Sequence, residues 1–434
     1  MSIRVWLVTT GEPFPMAGSD RRLMRAGMLA KHLASRGHEV TWWTSAFDHL
    51  EKRHLSRSST AIEWLPGVTL RLVRALGYRR NVSLARMVDH WLVARRFEEL
   101  AEAAAPPQLI LASMPTIDLA HAATRIGRLY GIPVVLDIRD LWPDVYLELV
   151  PEWMRPVASV AVGVLRRGVR SACKSAFAIT GNAPNFVEWG LRLGTRAPNR
   201  YDRYFPFGYS LPQASEERTA AARQFWRDHG LSRQHDELVG CYFGSIGYQS
   251  DFETIIEAAR MLSGSSMKFR MVFCGTGDRL EELRHKAADV PEVVFTGWVE
   301  QPEILELMSI AQFGVAAYWN HSGYVGNLPN KPIEYLAGGL PVVTCLSGFL
   351  SDFIKEHRCG FSYDAEDPGS LARLIQRLAG NRQQLQNASK NAREIFQRSF
   401  DVNVVYDSMV GYLEDIVAST STEAREIDKV VAVE

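Results

Sequence analysis

The hydrophobic positions of the first 50 residues follow two alternating patterns. An apolar run at residues 3–9, ended by Gly11, is typical of a parallel strand buried on both faces. A helix is predicted next, because apolar residues then recur at helical spacing until Gly37 stops them. That apolar face consists of Leu23, Ala26, Leu29, Ala30 and Leu33. A second strand at residues 38–45 completes a strand–helix–strand unit.

The same alternation continues through the rest of the chain. Further buried strands are predicted at residues 108–113, 133–138, 176–180, 238–243, 269–274, 293–297 and 313–319. Strands that alternate with helices predict an α/β fold with parallel sheets. A chain of 434 residues exceeds one ordinary core, and the turn-rich stretch at residues 200–212 is the predicted linker between two domains.

The segment GNLPNKPIEYLAGGLPVV, residues 326–343, combines a loop, a short helix and a strand. Asn330 is the predicted N-cap, and Pro332 is tolerated in the first turn because its missing N–H needs no partner there. The apolar face of this helix is Ile333, Leu336 and Ala337, and its stop is Gly338, Gly339 and Pro341.

This helix start has the properties of a phosphate site. The unpaired N–H groups and partial positive charge of a helix N-terminus suit a phosphate, and Lys331 adds a full charge. Glu334 lies one turn further in, where a carboxylate can accept hydrogen bonds from ribose hydroxyls. Alternatively, Asn330 only caps the helix and Glu334 only complements its dipole.

The PNKxxEYxAxGxPV form of this segment resembles the donor-binding helix of family-4 glycosyltransferases, in particular the branch that assembles bacterial surface polysaccharides. The resemblance implies the GT-B fold, in which two Rossmann-like domains face each other across a cleft. The expected parts are an acceptor-side domain at residues 1–205, a nucleotide-sugar domain at 206–400, a helix at 401–418 that crosses back, and a mobile tail at 419–434.

The resemblance also implies a set of donor contacts. These are Gly244, Ser245, Gly247, Gly275, Gly297, Trp298, Val299, Asn330, Lys331 and Glu334. The family usually places an Arg and a Lys around the first glycine loop, whereas this chain has GSIGYQSDFET there. We expect the backbone amides of residues 244–247 and Lys331 to substitute. The family's second Glu, eight residues before Glu334, is Gly326 here, which weakens any inference about the donor sugar.

The predicted strand at residues 133–138 runs into RDLWPD. Charged residues at the carboxyl end of a parallel strand lie where such sheets bind ligands. Many members of the resembling family have a His near the reactive carbon of the sugar at the position of Arg139. An Arg cannot act as a base, but it can stabilise a leaving phosphate, so Arg139 and Asp140 are the catalytic candidates. The alternative is an Arg–Asp network of Arg139 with Asp137, Asp140 and Asp144 that only shapes the loop.

The loop after the first strand argues against one enzyme class and suggests a second contact region. A nicotinamide-binding domain would have GxGxxG there, and this loop does not. By resemblance, Gly18, Ser19 and Arg22 face the acceptor side; otherwise they serve as cap and surface charge.

Residues 50–100 are rich in Arg and aromatic residues, and the same resemblance implies that they belong to the acceptor side. RNA binding would explain them too, but no recognised RNA motif accompanies them.

Charge and composition limit the partners. Residues 1–210 carry 28 Lys+Arg and 18 Asp+Glu, so the first half is +10 and the remainder −10. This favours an anionic partner for the first half, either membrane headgroups or a phosphate-bearing acceptor, although charge for solubility is an alternative. Residues 147–172 form a basic amphipathic segment near Trp142 and Trp153, which favours peripheral contact with an anionic membrane; a helix packed within the domain, with its arginines in water, is the alternative.

Cysteine use and hydropathy indicate where the protein works. Of five scattered cysteines, Cys241, Cys274 and Cys345 lie in apolar runs and are predicted to be buried thiols, which suggests a reducing compartment. The N-terminus lacks the long apolar region of a signal peptide, and the chain has no uncharged run of 18 apolar residues. The expected location is the cytoplasm, and the inner face of the cell membrane is the alternative within it.

The expected function is therefore a retaining hexosyl- or N-acetylhexosaminyltransferase, with a UDP-sugar favoured as donor. The expected acceptor is a glycan or a polyprenyl-diphosphate-linked glycan in cell-surface polysaccharide biosynthesis. No D-x-D triplet occurs, so we expect no metal and no other cofactor. The alternatives are a GT-B nucleotide-sugar epimerase, a noncatalytic nucleotide- or glycan-binding protein and, least supported, a nicotinamide oxidoreductase.

Overall fold

The structure is a computed structural model that describes residues 2–14, 22–81, 83–147, 150–233, 236–320 and 325–431. Its contacts divide the chain into two compact units. Unit 1 contains Met1–Pro206 and Val405–Glu434, and unit 2 contains Phe207–Val404.

The strands of unit 1 follow the order that the apolar runs predict. They are β1 (Arg4–Val8), β2 (Glu39–Ser45), β3 (Phe47–Asp48), β4 (Arg53–His54), β5 (Thr60–Leu65), β6 (Val68–Val73), β7 (Leu109–Met114), β8 (Val134–Ile138), β9 (Ala178–Gly181) and β10 (Arg203–Tyr204). Eight of them form one sheet in the order β10-β9-β8-β7-β1-β2-β6-β5, while β3 pairs with β4. Only β5 and β6 pair antiparallel within the large sheet as described. The sheet therefore grows in both directions from β1, as in a doubly wound fold.

Helices connect these strands. They are α1 (Arg25–Ser35), α2 (Leu84–Glu102), α3 (Ile117–Tyr130), α4 (Arg155–Ser175) and α5 (Pro184–Gly194). Short 3₁₀ turns at Asp144–Leu147 and Glu152–Met154 precede α4. Every residue of β7 and β8 is buried, which explains why both strands are apolar in the sequence except at Ser113 and Asp137.

Unit 2 is a second doubly wound domain. Its strands are β11 (Leu238–Phe243), β12 (Phe269–Cys274), β13 (Val293–Gly297), β14 (Phe313–Ala316), β15 (Val342–Thr344) and β16 (Gly360–Ser362). Its helices are α6 (Glu216–Asp228), α7 (Glu253–Leu262), α8 (Leu280–Lys286), α9 (Gln301–Ile310), α10 (Asn330–Ala337), α11 (Phe349–Glu356), α12 (Pro368–Gly380) and α13 (Arg382–Ser399). The strand order β13-β12-β11-β14-β15-β16 is that of a Rossmann fold, and all described pairs are parallel.

The core of unit 2 lies on both sides of its sheet. Val239, Cys241 and Phe243 of β11 enter one apolar cluster, while Leu238 and Tyr242 enter the other. Alternate side chains of one strand thus pack under helices on opposite faces, so the prediction of a parallel α/β fold is confirmed. The five cysteines are all buried and unpaired, which includes the three for which burial was predicted.

The final helix, α14 (Val402–Val431), begins in unit 2 and continues in unit 1. It is longer than the helix expected at residues 401–418, and residues 419–431, expected to be a mobile tail, are helical. Within unit 1, the Glu414 carboxylate is hydrogen-bonded to His38 Nε2 at 2.8 Å and accepts a hydrogen bond from the guanidinium of Arg36 at 3.1 Å. Of the helices that the structure describes, none is long and apolar enough to span a bilayer.

Candidate nucleotide site in unit 2 and the Arg139 network in unit 1

The sheet of unit 2 changes its direction of growth between β11 and β14, which pair side by side. Open parallel sheets bind ligands beyond the carboxyl ends of their strands at such a point. The predicted donor-site glycines lie there: Gly244 and Gly275 directly follow β11 and β12, and Gly297 is the last residue of β13. The topology therefore gathers residues that lie more than 50 positions apart in the sequence.

Backbone hydrogen bonds join these three loops. The N–H of Gly244 donates to the carbonyl of Cys274 at 2.9 Å, and the N–H of Gly275 donates to the carbonyl of Gly297 at 2.7 Å. Gly244 and Gly275 have φ angles of 140° and 143°, which side chains of L-residues rarely allow. A Cβ on Gly275 would lie 1.8 Å from the carbonyl oxygen of Gly244. Glycine is required here because two backbones touch.

Lys331 extends over this glycine surface. A Cβ on Gly244 would lie 2.9 Å from Lys331 Nζ, and the ammonium lies 5.3 Å from the ring centre of Tyr242 and 5.6 Å from that of Tyr318. Burial lowers the pKa of Lys331, while the negative charge of Glu334 raises it. The ammonium thus rests on aromatic faces and glycine backbone rather than in bulk water, and an incoming anion would be strongly attracted to it.

The start of α10 differs by one residue from the predicted helix. The N-cap is Pro329 rather than Asn330, which is the first helical residue, and no side chain caps the helix. The prediction of Asn330 as cap is therefore wrong, because Pro329 already has the extended backbone (φ −64°, ψ 162°) that a cap position needs. Asn330 is exposed, so the N-terminus of α10 lies at the surface of unit 2.

The other predicted donor residues have distinct surroundings. Ser245 is exposed, and its carbonyl accepts from the hydroxyl of Tyr242 at 2.7 Å, whereas Gly247 is buried. The side chain of Trp298 is 75% exposed beside the left-handed Gly297, and Val299 packs in the core. The carbonyl of Gly297 is already bonded to Gly275, so main-chain contact with a base would fall to residues 298 and 299.

An ion-pair cluster around one buried arginine lies next to these loops, and sequence analysis missed it. Arg279 follows the second glycine loop and is 5% exposed. It is paired with Glu253 and with Glu282, the latter at 2.9 Å, and its guanidinium lies 5.4 Å from the ring of Tyr248. Arg279 and Lys286 depress the pKa of Glu282 to about 2. The order of charges along the chain gave no sign that this Arg is buried.

In unit 1, Arg139 lies inside an ion-pair network. Its Nε donates to Asp137 Oδ2 at 2.8 Å, and Glu12 forms a further pair with it. Asp137 is fully buried and also accepts two hydrogen bonds from Arg25, at 2.9 and 3.0 Å, and one from Thr180 at 2.9 Å. Burial lowers the pKa of Arg139 to about 10, so the side chain stays charged at neutral pH.

The structure describes both catalytic candidates but only one of the three predicted acceptor contacts. Asp140 is exposed and accepts from the N–H of Leu141 at 2.9 Å. Arg22 is exposed, and Gly18 and Ser19 lie outside the described residues. The partners of Arg139 are thus Asp137 and Glu12, whereas Asp144 pairs with Arg166 at 2.7 Å. The catalytic role of Arg139 and Asp140 and the purely structural alternative both stay predictions.

Among the residues that the structure describes, no group of three or more His, Cys, Asp or Glu side chains is arranged to hold a metal ion. The ligand groups of the unit 2 edge are backbone amides, one lysine and hydroxyl or carboxylate oxygens. Such groups can bind a phosphate and a ribose without a metal.

The chain thus has two doubly wound α/β units, and one of them concentrates glycine loops and a lysine at its switch point. This combination defines a class of two-domain, nucleotide-binding α/β proteins. The chain belongs to the glycosyltransferases. Residues 224–395 match the family described as glycosyl transferases group 1, and residues 24–203 match the glycosyl transferase 4-like domain. The prediction of a family-4 type glycosyltransferase is confirmed at this level, and the surface-polysaccharide branch stays a prediction.

Solved structures share the fold across nearly the whole chain. Sucrose-phosphate synthase from Thermosynechococcus elongatus aligns with a TM-score of 0.69 and 18% identity, over 96% of this chain and 100% of that one. HepE from Anabaena in complex with UDP aligns with a TM-score of 0.63 and 15% identity, over the same shares. WaaG, a glycosyltransferase involved in lipopolysaccharide biosynthesis, gives 0.59 and 15%, over 94% and 98%. These similarities confirm the GT-B fold.

One curated relative is an uncharacterized glycosyltransferase, MJ1607, of Methanocaldococcus jannaschii. It is 26% identical over 220 residues, which are 49% of this chain. The match spans about half of that relative's length, 52%.

Proposed function

We propose that the protein transfers a sugar from a nucleotide-diphosphate donor, with a UDP-sugar favoured, to a glycan or a polyprenyl-diphosphate-linked acceptor in cell-surface polysaccharide biosynthesis. The observation that carries the proposal is the position of Lys331 Nζ over the joined glycine loops of unit 2. UDP is favoured because HepE, which shares the fold, binds UDP and UDP-glucose in its solved structures.

The diphosphate has a physical reason to bind there. It would rest against the backbone of the first glycine loop and the N-terminus of α10, with the Lys331 ammonium as counter-charge. Glu334 would accept hydrogen bonds from the ribose hydroxyls, beside the phosphates rather than on them. Trp298 and Val299 would flank the base through their main chains.

In the proposed reaction, the bond between the anomeric carbon and the diphosphate oxygen breaks and a new bond forms to the acceptor hydroxyl on the same face. The leaving diphosphate itself assists removal of the proton from that hydroxyl. The protein mainly positions the donor and stabilises the charge that develops on the leaving oxygen. Lys331 supplies that stabilisation in unit 2, and Arg139 and Asp140 stay the catalytic candidates of unit 1.

The test is nucleotide binding to the full chain by calorimetry. Lys331→Ala should weaken UDP binding about tenfold or more, about 1.4 kcal/mol, because it removes a charge-assisted phosphate contact. Lys268→Ala is the matched control, since Lys268 is an exposed lysine at the opposite end of β12 in the same unit. Unaltered UDP affinity in both Lys331→Ala and Glu334→Ala would contradict the site.

The base of the donor, the type of reaction and the presence of catalysis each need a separate measurement. Thermal shifts with UDP, GDP and TDP rank the bases, because a ligand that binds the folded state raises its apparent stability. Product analysis with and without acceptor separates a transferase from an epimerase, which converts the nucleotide-sugar alone. Absence of nucleoside diphosphate release with any donor and acceptor pair would favour a noncatalytic binding protein.

We also propose peripheral contact with an anionic membrane through α4. Three valines lie on one exposed face of α4 at spacings of three and four residues: Val157 (74% exposed), Val160 (71%) and Val164 (57%). The 3₁₀ turn before the helix adds Trp153, which is 78% exposed. Exposed arginines flank this face at positions 155, 167 and 170. A basic helix with such an apolar face suits the interface of an anionic bilayer.

Vesicle sedimentation tests this contact. Replacing Val157 and Val160 together by Asp should reduce binding to phosphatidylglycerol-containing vesicles at least tenfold. The variant loses two valines that the membrane would bury, and the anionic lipids repel its two new carboxylates. Leu129→Asp is the control, since Leu129 is 72% exposed on α3 of the same unit. Equal binding by the double variant and the control would rule out α4 as the contact.

A further inference from the structure

A groove lies at one edge of the unit 2 sheet. It is lined by the edge strand β16, by residues of α11, α12 and α13, and by the turn after α11. β15 separates β16 from β14, so the groove is distinct from the switch point between β11 and β14. Its volume is about 670 Å³, which is within the roughly 300–1,000 Å³ of sites that bind small molecules. The groove therefore has room for a ligand of the size of a substituted sugar.

The charges that line this groove are all positive. They belong to Lys355, Arg358 and Arg377, which are exposed. Among the residues that the structure describes, none that lines the groove is acidic, and none lies at salt-bridge distance from these three cations. By contrast, Arg373, one turn earlier on α12, pairs with Asp367 at 3.6 Å. Three cations without acids, in the half of the chain that carries a net charge of −10, create a local attraction for an anion.

Arg358 adopts a backbone conformation that is unfavourable for an arginine. α11 ends at its C-cap His357, and Arg358 follows with a left-handed φ of 50°. Glycine or asparagine is usual at this position, because a Cβ is disfavoured there. The side-chain amide of Asn391 on α13 donates to the carbonyl of Arg358 at 3.0 Å and ties the turn to that helix. An arginine retained where glycine fits better indicates a use for its charge.

The third side of the groove is a row of amides on α13. Gln384, Asn387 and Asn391 line it, and their spacing of three and four residues places them on one face of that helix. A side-chain amide both donates and accepts hydrogen bonds, as the neighbouring hydroxyls of a sugar require. The half-buried ring of Phe361 on β16 adds an apolar surface. The groove thus combines groups for an anion with groups for a polyhydroxylated ring.

The surroundings argue against a macromolecular partner. Stable protein interfaces bury about 800 Å² on each partner, around aromatic or aliphatic anchors. In the described part of unit 2, the exposed large apolar side chains do not line the groove; they are Leu211, Tyr248, Met261, Trp298 and Val404. A nucleic acid would meet the net negative charge of this half of the chain. A small anionic ligand fits both observations.

We propose that this groove binds a phosphorylated sugar. The guanidinium groups of Arg358 and Arg377, together with the Lys355 ammonium, pair with the phosphate, because charge-assisted hydrogen bonds to phosphate are the strong ones. The amides of α13 hydrogen-bond the sugar hydroxyls. The site is separate from the nucleotide site at Lys331, and the inference does not depend on the proposed function.

The probes are glucose 1-phosphate, glucose 6-phosphate and N-acetylglucosamine 6-phosphate. In calorimetry on the full chain, at least one of them should bind tenfold more tightly than its parent sugar and than inorganic phosphate, since only the sugar phosphate has both parts. Arg377→Gln should weaken that binding tenfold or more, because a charged contact is lost. Asn387→Ala, which removes a neutral contact, should weaken it about threefold.

Arg358→Asn separates ligand binding from a structural role. Asparagine accepts the left-handed conformation more readily than arginine, so the melting temperature should not fall. Binding of the sugar phosphate should nevertheless weaken tenfold or more. Arg373→Gln is the matched control, because Arg373 lies on the same helix as Arg377, is exposed and does not line the groove. This control should bind the probe like the wild type.

UDP binding distinguishes this site from the nucleotide site. Arg377→Gln and Arg358→Asn should retain UDP affinity, while Lys331→Ala should weaken UDP binding and retain the sugar phosphate. The inference is overturned if no probe binds more tightly than its parent sugar and phosphate, if Arg377→Gln and Arg358→Asn bind the probe normally, or if Lys331→Ala abolishes that binding. Absence of UDP binding by the wild type would overturn only the nucleotide site.

Discussion

Lys331 in unit 2 and Arg139 in unit 1 are both cations near the carboxyl edge of a doubly wound sheet, yet their surroundings differ. Arg139 is held by Asp137 and Glu12, whereas Lys331 lies on two aromatic rings and glycine backbone. A cation that already has carboxylates around it stabilises the fold. A cation that is desolvated without such pairing has its charge available for a ligand. The comparison predicts that mutations in the two regions separate stability from binding.

The largest effect is expected from Asp137→Ala in the unit 1 network. The variant leaves Arg25 and Arg139 without the carboxylate that joins them, and removing one partner of a buried pair costs about 3–5 kcal/mol. Urea denaturation followed by tryptophan fluorescence measures the loss. Glu152→Ala is the control, since its pair with Arg155 is exposed and worth at most about 1 kcal/mol. Similar losses in both variants would mean that the network does not hold unit 1 together.

The next effect is expected from Gly275→Ala in unit 2. The new methyl group would clash with the carbonyl of Gly244, so the two loops must separate. UDP binding should then fall at least tenfold, and the free energy of unfolding should fall by about 1–3 kcal/mol. Titration calorimetry and urea denaturation provide the two values. Gly380→Ala, with no atom near the added methyl, should keep UDP affinity and stability close to the wild type. Normal UDP binding by Gly275→Ala would show that the joined loops are dispensable.

The smallest effect concerns pH. Burial lowers the pKa of Lys331 from the ordinary lysine value, although Glu334 acts in the opposite direction. The ammonium therefore loses its proton at lower pH than an exposed lysine, and UDP affinity should begin to fall with rising pH before an exposed lysine would titrate. Calorimetry over an alkaline pH series tests this. Lys331→Ala should lack the dependence, and the same decline in that variant would assign it to another group.

Local sequence patterns predicted the parts of the site that depend on neighbouring residues. The spacing of Ile333 and Leu336 predicted α10, and the Gly338–Gly339 pair predicted its end, where Gly339 has a φ of 72°. The position of Lys331 in the first turn follows directly from that helix. Only the capping residue was wrong, because a proline adopts the same extended backbone as a polar cap.

Contacts between distant residues could not be predicted in this way. Arg25 occurs within an amphipathic helix whose pattern does not mark it as buried, but it is 1% exposed and bonded to Asp137, 112 residues later. The rings of Tyr242, near the end of β11, and Tyr318, just after β14, both lie beside Lys331. In the sequence, each tyrosine is only one member of an apolar run. The order of the strands in each sheet determines these contacts, and no short sequence motif encodes that order.

The burial of every cysteine gives the two units separate reporters of their opening. Cys173 is the thiol of unit 1, and positions 241, 274, 345 and 359 belong to unit 2. Burial raises the pKa of Cys173 and Cys274 to about 12, so a thiol-reactive dye can label them only after the surrounding core opens. Mass spectrometry of labelled peptides would then time the opening of each unit within one intact chain.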